Sequence, residues 1–289
     1  MSLALSPVAP TAWLARFIEH VEVVAPVGRR PLEVERLPDG RTTLVFRVLD
    51  GGHRGDLTVA GPRTRAMFKT AIGVAHAVIV RFKPGWSALL FGVRASALTD
   101  RLVPVADLWG RQVGDLCGEL LAARGVTEVV GRLSDAFARR SHDGAEPASA
   151  ALARRAVRLL EGEEVRVERV AQRLGVTARH LRRAFAESIG IGPKEFARTV
   201  RLQRAVHRAE TSSDWGRIAA DVGYYDQAHL IGEFRELVGL TPVEFVNRRR
   251  DPIAAGAQAR VARSIIAPIR HQAGAIHTAQ RPRANGGGH

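Results

Sequence analysis

The sequence predicts an α+β protein with a β-rich, barrel-like N-terminal domain, an all-α domain with two helix-turn-helix units, and a disordered basic tail. Short alternating runs between turn residues fill the first part of the chain, and apolar residues at helical spacing fill the second. Beyond residue 250 the composition changes to Ala, Gly, Pro and Arg with few aromatic residues. We therefore expect domains at 1–140 and 148–250, and a tail at 251–289 with a short helix near 261–266.

Five runs in the N-terminal part alternate apolar and polar residues between turns rich in Gly, Pro and Asp. These predicted strands cover 32–37, 42–49, 57–60, 65–69 and 75–82. Strands at this spacing predict a small barrel or sandwich. After Trp109 the pattern becomes helical, with apolar faces within 113–121 and 129–137. These helices either form a dimer surface or cover the open side of the barrel.

The first helix-turn-helix unit is predicted at 167–189. Its first helix carries one apolar stripe, formed by Val167, Val170, Ala171 and Leu174. Gly175 ends this helix, because a residue that tolerates a positive φ is needed there. Thr177 can cap the second helix, whose buried positions are Leu181, Phe185 and Ile189.

The second unit is predicted at 215–238 and repeats this order. Gly223 ends its first helix, and Asp226 caps its second after a turn that is one residue longer. Between the units, Pro193 is suited to begin a helix that runs to about residue 209. Such a helix is about 25 Å long and can hold two reading helices roughly one DNA turn, about 34 Å, apart.

Many residues of this region follow one extended pattern. They are Arg179, Leu181, Arg183, Phe185, Gly190, Pro193, Phe196, Arg201, Leu202, Ala205, Ile218, Ala219, Gly223, Tyr224, Asp226, Leu230, Phe234, Gly239, Thr241, Pro242 and Phe245. The pattern resembles the DNA-binding module of AraC/XylS-type bacterial transcription regulators and covers about residues 148–248. The resemblance implies seven helices, with both reading helices on one face of the DNA.

The resemblance also implies base-reading positions in each unit. In the first unit these positions hold Arg179, Arg182 and Arg183, whose guanidinium groups can pair with guanine or grip phosphates. In the second unit they hold Ala228, Ile231 and Gly232, which have no hydrogen-bonding side chain. The complete predicted DNA-contacting set is Thr177, Arg179, His180, Arg182, Arg183, Gln227, His229 and Arg235.

The two reading helices are therefore expected to contribute unequally. Family members usually carry Arg where Gly232 stands. Gln227 can pair with adenine, or it sits exposed in the first turn; His229 contacts DNA, or it packs beside Tyr225. Our hypothesis is that the first helix supplies most sequence specificity and the second supplies mainly phosphate and shape contacts.

The N-terminal domain more weakly resembles the sensor-like domains of some family members, which implies a small-molecule effector or dimerisation. Arg81, Trp86, Phe46 and His76 could line a pocket, although aromatic residues at such positions are usually core, and we assign no ligand residues. Promoter DNA is the main expected partner. A homodimer and RNA polymerase are further candidate partners.

Two other classes of DNA-binding protein fit the sequence less well. A DNA-repair alkyl acceptor would use Cys117, but this cysteine has no nearby His or Lys in the sequence to lower its pKa. An architectural DNA binder would need no sequence choice, whereas three arginines on one reading helix exceed what phosphate anchoring requires. The sequence predicts no enzyme, cofactor or metal site.

Composition agrees with an intracellular DNA-binding protein. The 289 residues carry a net charge of +14, which favours polyanions in general, and the excess is spread along the chain. A single cysteine excludes an intramolecular disulfide framework. Because the sequence has no secretory signal and no apolar run that could span a bilayer, we expect a cytoplasmic, nucleoid-associated bacterial protein without membrane contact.

Overall fold

The computed structural model describes residues 14–26, 31–110, 112–141, 147–162, 166–250 and 261–263. A β-rich N-terminal region is followed by a helical region, as the sequence predicts. The described strands are β1 (Ile18–Val24), β2 (Leu32–Arg36), β3 (Thr43–Leu49), β4 (Arg54–Ala60), β5 (Met67–Ala71), β6 (Val74–Phe82), β7 (Leu102–Pro104) and β8 (Val261–Arg263). None of the described helices combines the length and the apolar character needed to cross a membrane.

The described strands lie in two sheets. The larger sheet has the order β1-β6-β3-β4-β7, and every neighbouring pair in it is antiparallel. The smaller sheet has the order β5-β2-β8, with β5 antiparallel and β8 parallel to β2. All five strands predicted from the sequence are confirmed, and β1, β7 and β8 are additional.

The prediction of a short helix near 261–266 is wrong at residues 261–263, because these residues form the strand β8. Its backbone pairs with Glu33, Val34 and Glu35 of β2. The edge of β2 supplies the hydrogen-bonding partners. Because β2 is far from β8 in the sequence, the apolar spacing near residue 261 does not predict this pairing. The prediction of a disordered tail otherwise concerns 251–260 and 264–289, which lie outside the described residues.

The N-terminal region also contains helices that complete its core. These are α1 (Ser87–Phe91), α2 (Val105–Trp109), α3 (Gln112–Leu121) and α4 (Val126–Ser141). Leu116 and Leu120 of α3 and Leu133 and Phe137 of α4 are buried in the same cluster as Phe46 of β3. The apolar faces of α3 and α4 therefore cover the larger sheet, which is one of the two roles expected for them, the other being a dimer surface.

The described part of the C-terminal region contains seven helices, in agreement with the prediction. They are α5 (Ala148–Glu161), α6 (Val167–Arg173), α7 (Ala178–Ser188), α8 (Pro193–Arg208), α9 (Trp215–Val222), α10 (Gln227–Val238) and α11 (Pro242–Arg250). Helix α8 belongs to two cores: Phe196 and Val200 pack with α5, α6 and α7, whereas Leu202 and Val206 pack with α9, α10 and α11. Its 16 residues correspond to about 24 Å of helix between the two units.

Candidate nucleic-acid interface

The first reading helix, α7, begins as its sequence predicts. Gly175 has a φ of +67°, which closes the turn after α6. The Thr177 side chain then caps α7, since its Oγ1 accepts a hydrogen bond from the His180 backbone N–H at 3.1 Å. This cap fixes the first turn of α7, where the predicted base-reading positions begin.

The two faces of α7 differ sharply in polarity. Leu181, Ala184 and Phe185 are buried against α5 and α6. Arg179, His180, Arg182 and Arg183 are all exposed on the outer side. Among the described residues, none forms an ion pair with the three guanidinium groups on this face. The outer face of α7 is therefore a concentrated patch of positive charge with its hydrogen-bond donors directed to solvent.

The second reading helix, α10, has a similar start. Gly223 has a φ of +85°, and Asp226 Oδ1 accepts a hydrogen bond from the His229 backbone N–H at 2.7 Å. Asp226 is thus confirmed as the cap despite the longer turn. The chemistry of the two reading helices differs only beyond their caps.

The outer face of α10 projects little from the helix around its middle and carries little charge. Gln227, Ala228, Gly232 and Arg235 are exposed, and Ile231 is half-buried against the core. A Cβ added at Gly232 would meet no atom within 4 Å, so the space above this position is open. Among the predicted DNA-contacting residues of α10, Arg235 supplies the guanidinium group, and it lies near the end of the helix.

The His229 ring is engaged with its own turn. Its Nδ1 accepts a hydrogen bond from the Tyr225 backbone N–H at 3.4 Å, and the ring lies edge-on to Tyr224, with centroids 5.3 Å apart. This arrangement resembles the alternative in which His229 packs beside Tyr225 and does not contact DNA. Gln227 is exposed and can still reach a neighbouring molecule.

Helix α10 is held to α8 by buried ion pairs on its inner side. The Glu233 carboxylate accepts hydrogen bonds from Arg198 Nε at 2.9 Å and from Arg201 Nη2 at 3.0 Å. Arg198 also pairs with Glu236 at 2.5 Å. These contacts fix the second reading helix relative to α8. They also pair the positive charges of Arg198 and Arg201 with carboxylates inside the unit.

The structure adds exposed residues that the sequence reasoning did not single out. Arg166, just before α6, and Arg169 and Arg173 of α6 are exposed, and no described residue forms an ion pair with them. Tyr225, immediately before the cap of α10, is 92% exposed. The spacing of these arginines at i, i+3 and i+7, which places them along one face of a helix, was the available signal for the first group.

The four residues considered as pocket candidates do not share one site. Phe46 pairs in register with Val78 and Thr43 with Arg81, so Phe46 and Arg81 lie on opposite faces of the sheet. The Arg81 guanidinium pairs with Glu19 and Asp39. Trp86 instead lies against Phe17 and under the Arg154 guanidinium, 3.7 Å from its ring centroid. Burial lowers the pKa of half-buried His76.

Cys117 is poorly suited to accept an alkyl group. Its side chain is half-buried beside the larger sheet. Burial raises the pKa of the thiol, and the nearby Asp56 carboxylate raises it further. The reactive thiolate is therefore disfavoured. Within the part of the chain that the structure describes, no group of three His, Cys, Asp or Glu residues could hold a metal ion.

Two family models match separate parts of the chain. Residues 170–248 match a family described as a helix-turn-helix domain, and residues 6–104 match a domain of unknown function, DUF6597. No curated protein matches the chain significantly. The first match covers both helix-turn-helix units and the helix between them.

Several solved structures resemble this fold at low identity. ToxT from Vibrio cholerae, determined at 1.65 Å, is 9% identical, with a TM-score of 0.42 over 79% of this chain and 97% of that chain. Wild-type ToxT from Vibrio cholerae strain SCE256, bound to an unsaturated fatty acid, is 11% identical, with a TM-score of 0.42 over 78% of this chain and 94% of that chain. At such scores the likeness carries no information about what this chain binds.

Proposed function

We propose that this chain is a DNA-binding transcription regulator of the AraC/XylS type that reads specific promoter sequences through two successive major grooves. The helix-turn-helix family model that matches residues 170–248 supports the proposal. The observation that carries the proposal is the outer face of α7. It presents three exposed arginines without ion-pair partners among the described residues, directly after a well-formed cap. Arginine is the side chain that most often recognises guanine in the major groove, through O6 and N7.

The spacing of the two units supports binding by one chain to two grooves. Helix α8 contributes about 24 Å between the unit cores, and the attached units add to this separation. Successive major grooves on one face of B-DNA are about 34 Å apart. Both reading helices can therefore reach the same side of one duplex.

Readout is proposed to be unequal between the two helices. In the first unit Arg179, Arg182 and Arg183 contact bases, while Thr177 and His180 contact the backbone near the start of α7. The α6 arginines add phosphate contacts beside them. In the second unit, Gln227, His229 and Arg235 supply fewer donors over a flat surface. This unit contributes mainly phosphate and shape contacts.

The N-terminal region is proposed to receive the regulatory signal, either a small molecule or a second copy of the chain. What supports a regulatory role is its direct packing on both helix-turn-helix units, which is described below. RNA polymerase is a proposed partner at the promoter.

Selection of bound fragments from bacterial genomic DNA by the purified full-length protein tests the proposal. We expect enrichment of one motif that spans about two helical turns, and loss of that enrichment in the Arg179→Ala/Arg182→Ala/Arg183→Ala variant. Unrelated competitor DNA at physiological salt serves as the control. Binding without an enriched motif, abolished smoothly by salt, would instead indicate an architectural DNA binder.

A further inference from the structure

Residues 35–41, which lead from the end of β2 to the start of β3, have an unusual environment. We call them the splint segment. All seven are buried, including Glu35, Arg36, Asp39 and Arg41. Connections between strands normally run over the surface, and charged residues are rarely buried without partners. The burial of this connection therefore points to a specific packing role.

One end of the splint segment contacts the second helix-turn-helix unit. The Glu35 carboxylate accepts a hydrogen bond from Arg249 Nε of α11 at 3.0 Å. Leu37 is buried in the same apolar cluster as Leu230 and Phe234 of α10. Next to it, the Ala66 backbone N–H donates to the Leu237 carbonyl at the end of α10, at 2.8 Å.

The middle of the segment lies against α8. Buried Gln203 donates from Nε2 to the Pro38 carbonyl at 2.9 Å. At Gly40 the two chains approach so closely that an added Cβ would lie 2.5 Å from the Phe196 ring. Only a residue without a side chain fits this contact, which lies at the α7–α8 junction of the first unit.

The other end of the segment contacts the first unit. Arg41 Nη2 pairs with Glu161 at the end of α5, at 2.9 Å. Beside it, Thr99 Oγ1 donates to the Gly190 carbonyl just after α7, at 2.6 Å. The N-terminal region thus touches the chain at or just after the C-terminal end of each reading helix, Leu237 in α10 and Gly190 after α7.

The splint segment is also tied to the larger sheet. Asp39 pairs with Arg81 of β6 at 3.0 Å, and Arg41 pairs with Glu19 of β1 at 2.5 Å. Displacement of β1 or β6 would therefore be passed to the segment, because broken pairs would leave buried charges without partners.

We propose that the splint segment fixes the position of the two helix-turn-helix units relative to each other, so that the N-terminal region determines which spacing between half-sites the protein accepts. Seven extended residues span at most about 25 Å, comparable with the length of α8. A helix joined to its neighbours at both ends can still bend or twist along its length. A second connection alongside α8 opposes such motion.

The distance between the units tests this directly, without DNA. Nitroxide labels are placed at exposed Ala186 on α7 and Ala220 on α9, each changed to Cys in a chain carrying Cys117→Ser. Double electron–electron resonance should give one narrow distribution of label-to-label distances for this parent chain. Two splint variants, Gly40→Val and the double variant Gln203→Leu/Arg249→Leu, should each broaden or shift it.

The matched control is Arg47→Ala, which removes the half-buried Arg47–Asp56 ion pair between β3 and β4 of the larger sheet. It should leave the distribution unchanged. Thermal unfolding of each variant identifies any that has lost its fold. An unchanged distribution in the folded splint variants would overturn the proposal, because α8 alone would then fix the spacing.

The DNA consequence rests on the proposed function and has its own test. On the selected operator, inserting or deleting one base pair between half-sites should weaken wild-type binding by about 5- to 150-fold, the loss that one mismatched base pair typically causes. The splint variants should lose most of this discrimination. If they discriminate as strongly as wild type, the splint does not set half-site spacing. If the protein selects no motif, the proposed function fails, while the label distances still decide the role of the splint.

Discussion

Gly232 is a residue whose presence the fold itself does not require. It lies in the interior of α10, and its added Cβ would meet nothing within 4 Å. We therefore expect Gly232→Ala to raise the free energy of unfolding by up to about 1 kcal/mol, because Gly is the weaker helix former. Urea unfolding measures this change. Gly131, inside α4 and equally open, is the matched control, and Gly131→Ala should give a similar gain.

A loss of stability in Gly232→Ala alone would contradict the open environment described for α10. If the gain is present, Gly232 is retained for a reason outside the folded monomer. Close approach of DNA to the second reading helix is such a reason, since a helix without a side chain at this point can lie nearer to the duplex.

Glu22 makes the stability of the larger sheet depend on pH. Burial raises the pKa of its carboxyl group to about 7, against the opposing effect of the Arg81 guanidinium. Because the folded-state pKa lies above the unfolded value of 4.5, the folded protein retains the proton longer than the unfolded chain. The contribution of Glu22 is therefore complete below the unfolded pKa and is lost as the pH rises through about 7.

Glu22→Gln keeps a neutral side chain at every pH. Relative to wild type, the variant should gain stability as the pH rises from about 4.5 to 8, as measured by urea unfolding at several pH values. The comparison is made in a His20→Gln background, because His20 Nε2 lies 3.8 Å from the Glu22 carboxylate and its own protonation depends on that charge. A difference that does not change with pH would rule out a raised pKa at this position.

Side-chain chemistry was predictable from the sequence only where local spacing determines it. Thr177 and Asp226 follow a Gly turn and precede an apolar helical face, so their capping roles could be predicted. The altered pKa of Glu22 depends on burial and on Arg81, which is 59 positions away (81 − 22). The exposure of Tyr225 depends on how α9 and α10 pack.

At the scale of the element, the cap of α7 connects stability with DNA binding. We expect Thr177→Ala to lower the free energy of unfolding by about 0.5–2 kcal/mol, because the His180 N–H loses its hydrogen-bond acceptor. DNA affinity should fall as well, since the first turn of α7 carries Arg179. Unfolding and DNA titration are measured on the same samples, with Thr177→Ser as the conservative control that retains the hydroxyl.

Full stability in Thr177→Ala would mean that the cap is dispensable. A loss in Thr177→Ser equal to that in Thr177→Ala would point to tight packing of the threonine methyl group instead of the hydrogen bond.

Element length decided what the sequence could reveal. The helices of both helix-turn-helix units carry strong apolar periodicity, and their starts and ends were predicted within a few residues. Helices α1 and α2, of five residues each, are too short to show a helical period. Strands β7 and β8, of three residues each, exist because a neighbouring strand offers an edge. In β1 two consecutive polar residues, Glu19 and His20, and a register shift between Ile18 and His20 interrupt the alternation, so the strand period is not visible in the sequence.

At the scale of the whole molecule, the sequence predicted two regions but not their connection. Residues 35–41 contact Glu161, Gln203 and Arg249, which lie more than 100 positions away in the chain. No local pattern encodes such pairs, and a buried Gly at position 40 reads in the sequence as part of an ordinary turn. In the structure the N-terminal region is therefore packed against both helix-turn-helix units and is not a separate partner domain.

Helix α7 is proposed to carry most of the sequence recognition. Base preference at every position of the selected operator, measured for wild type, Arg182→Ala and Gln227→Ala, tests it most directly. We predict that Arg182→Ala removes discrimination worth about 1–3 kcal/mol at one position and that Gln227→Ala changes preference less. A larger change in Gln227→Ala, or equal weakening of all sequences by Arg182→Ala, would contradict the account.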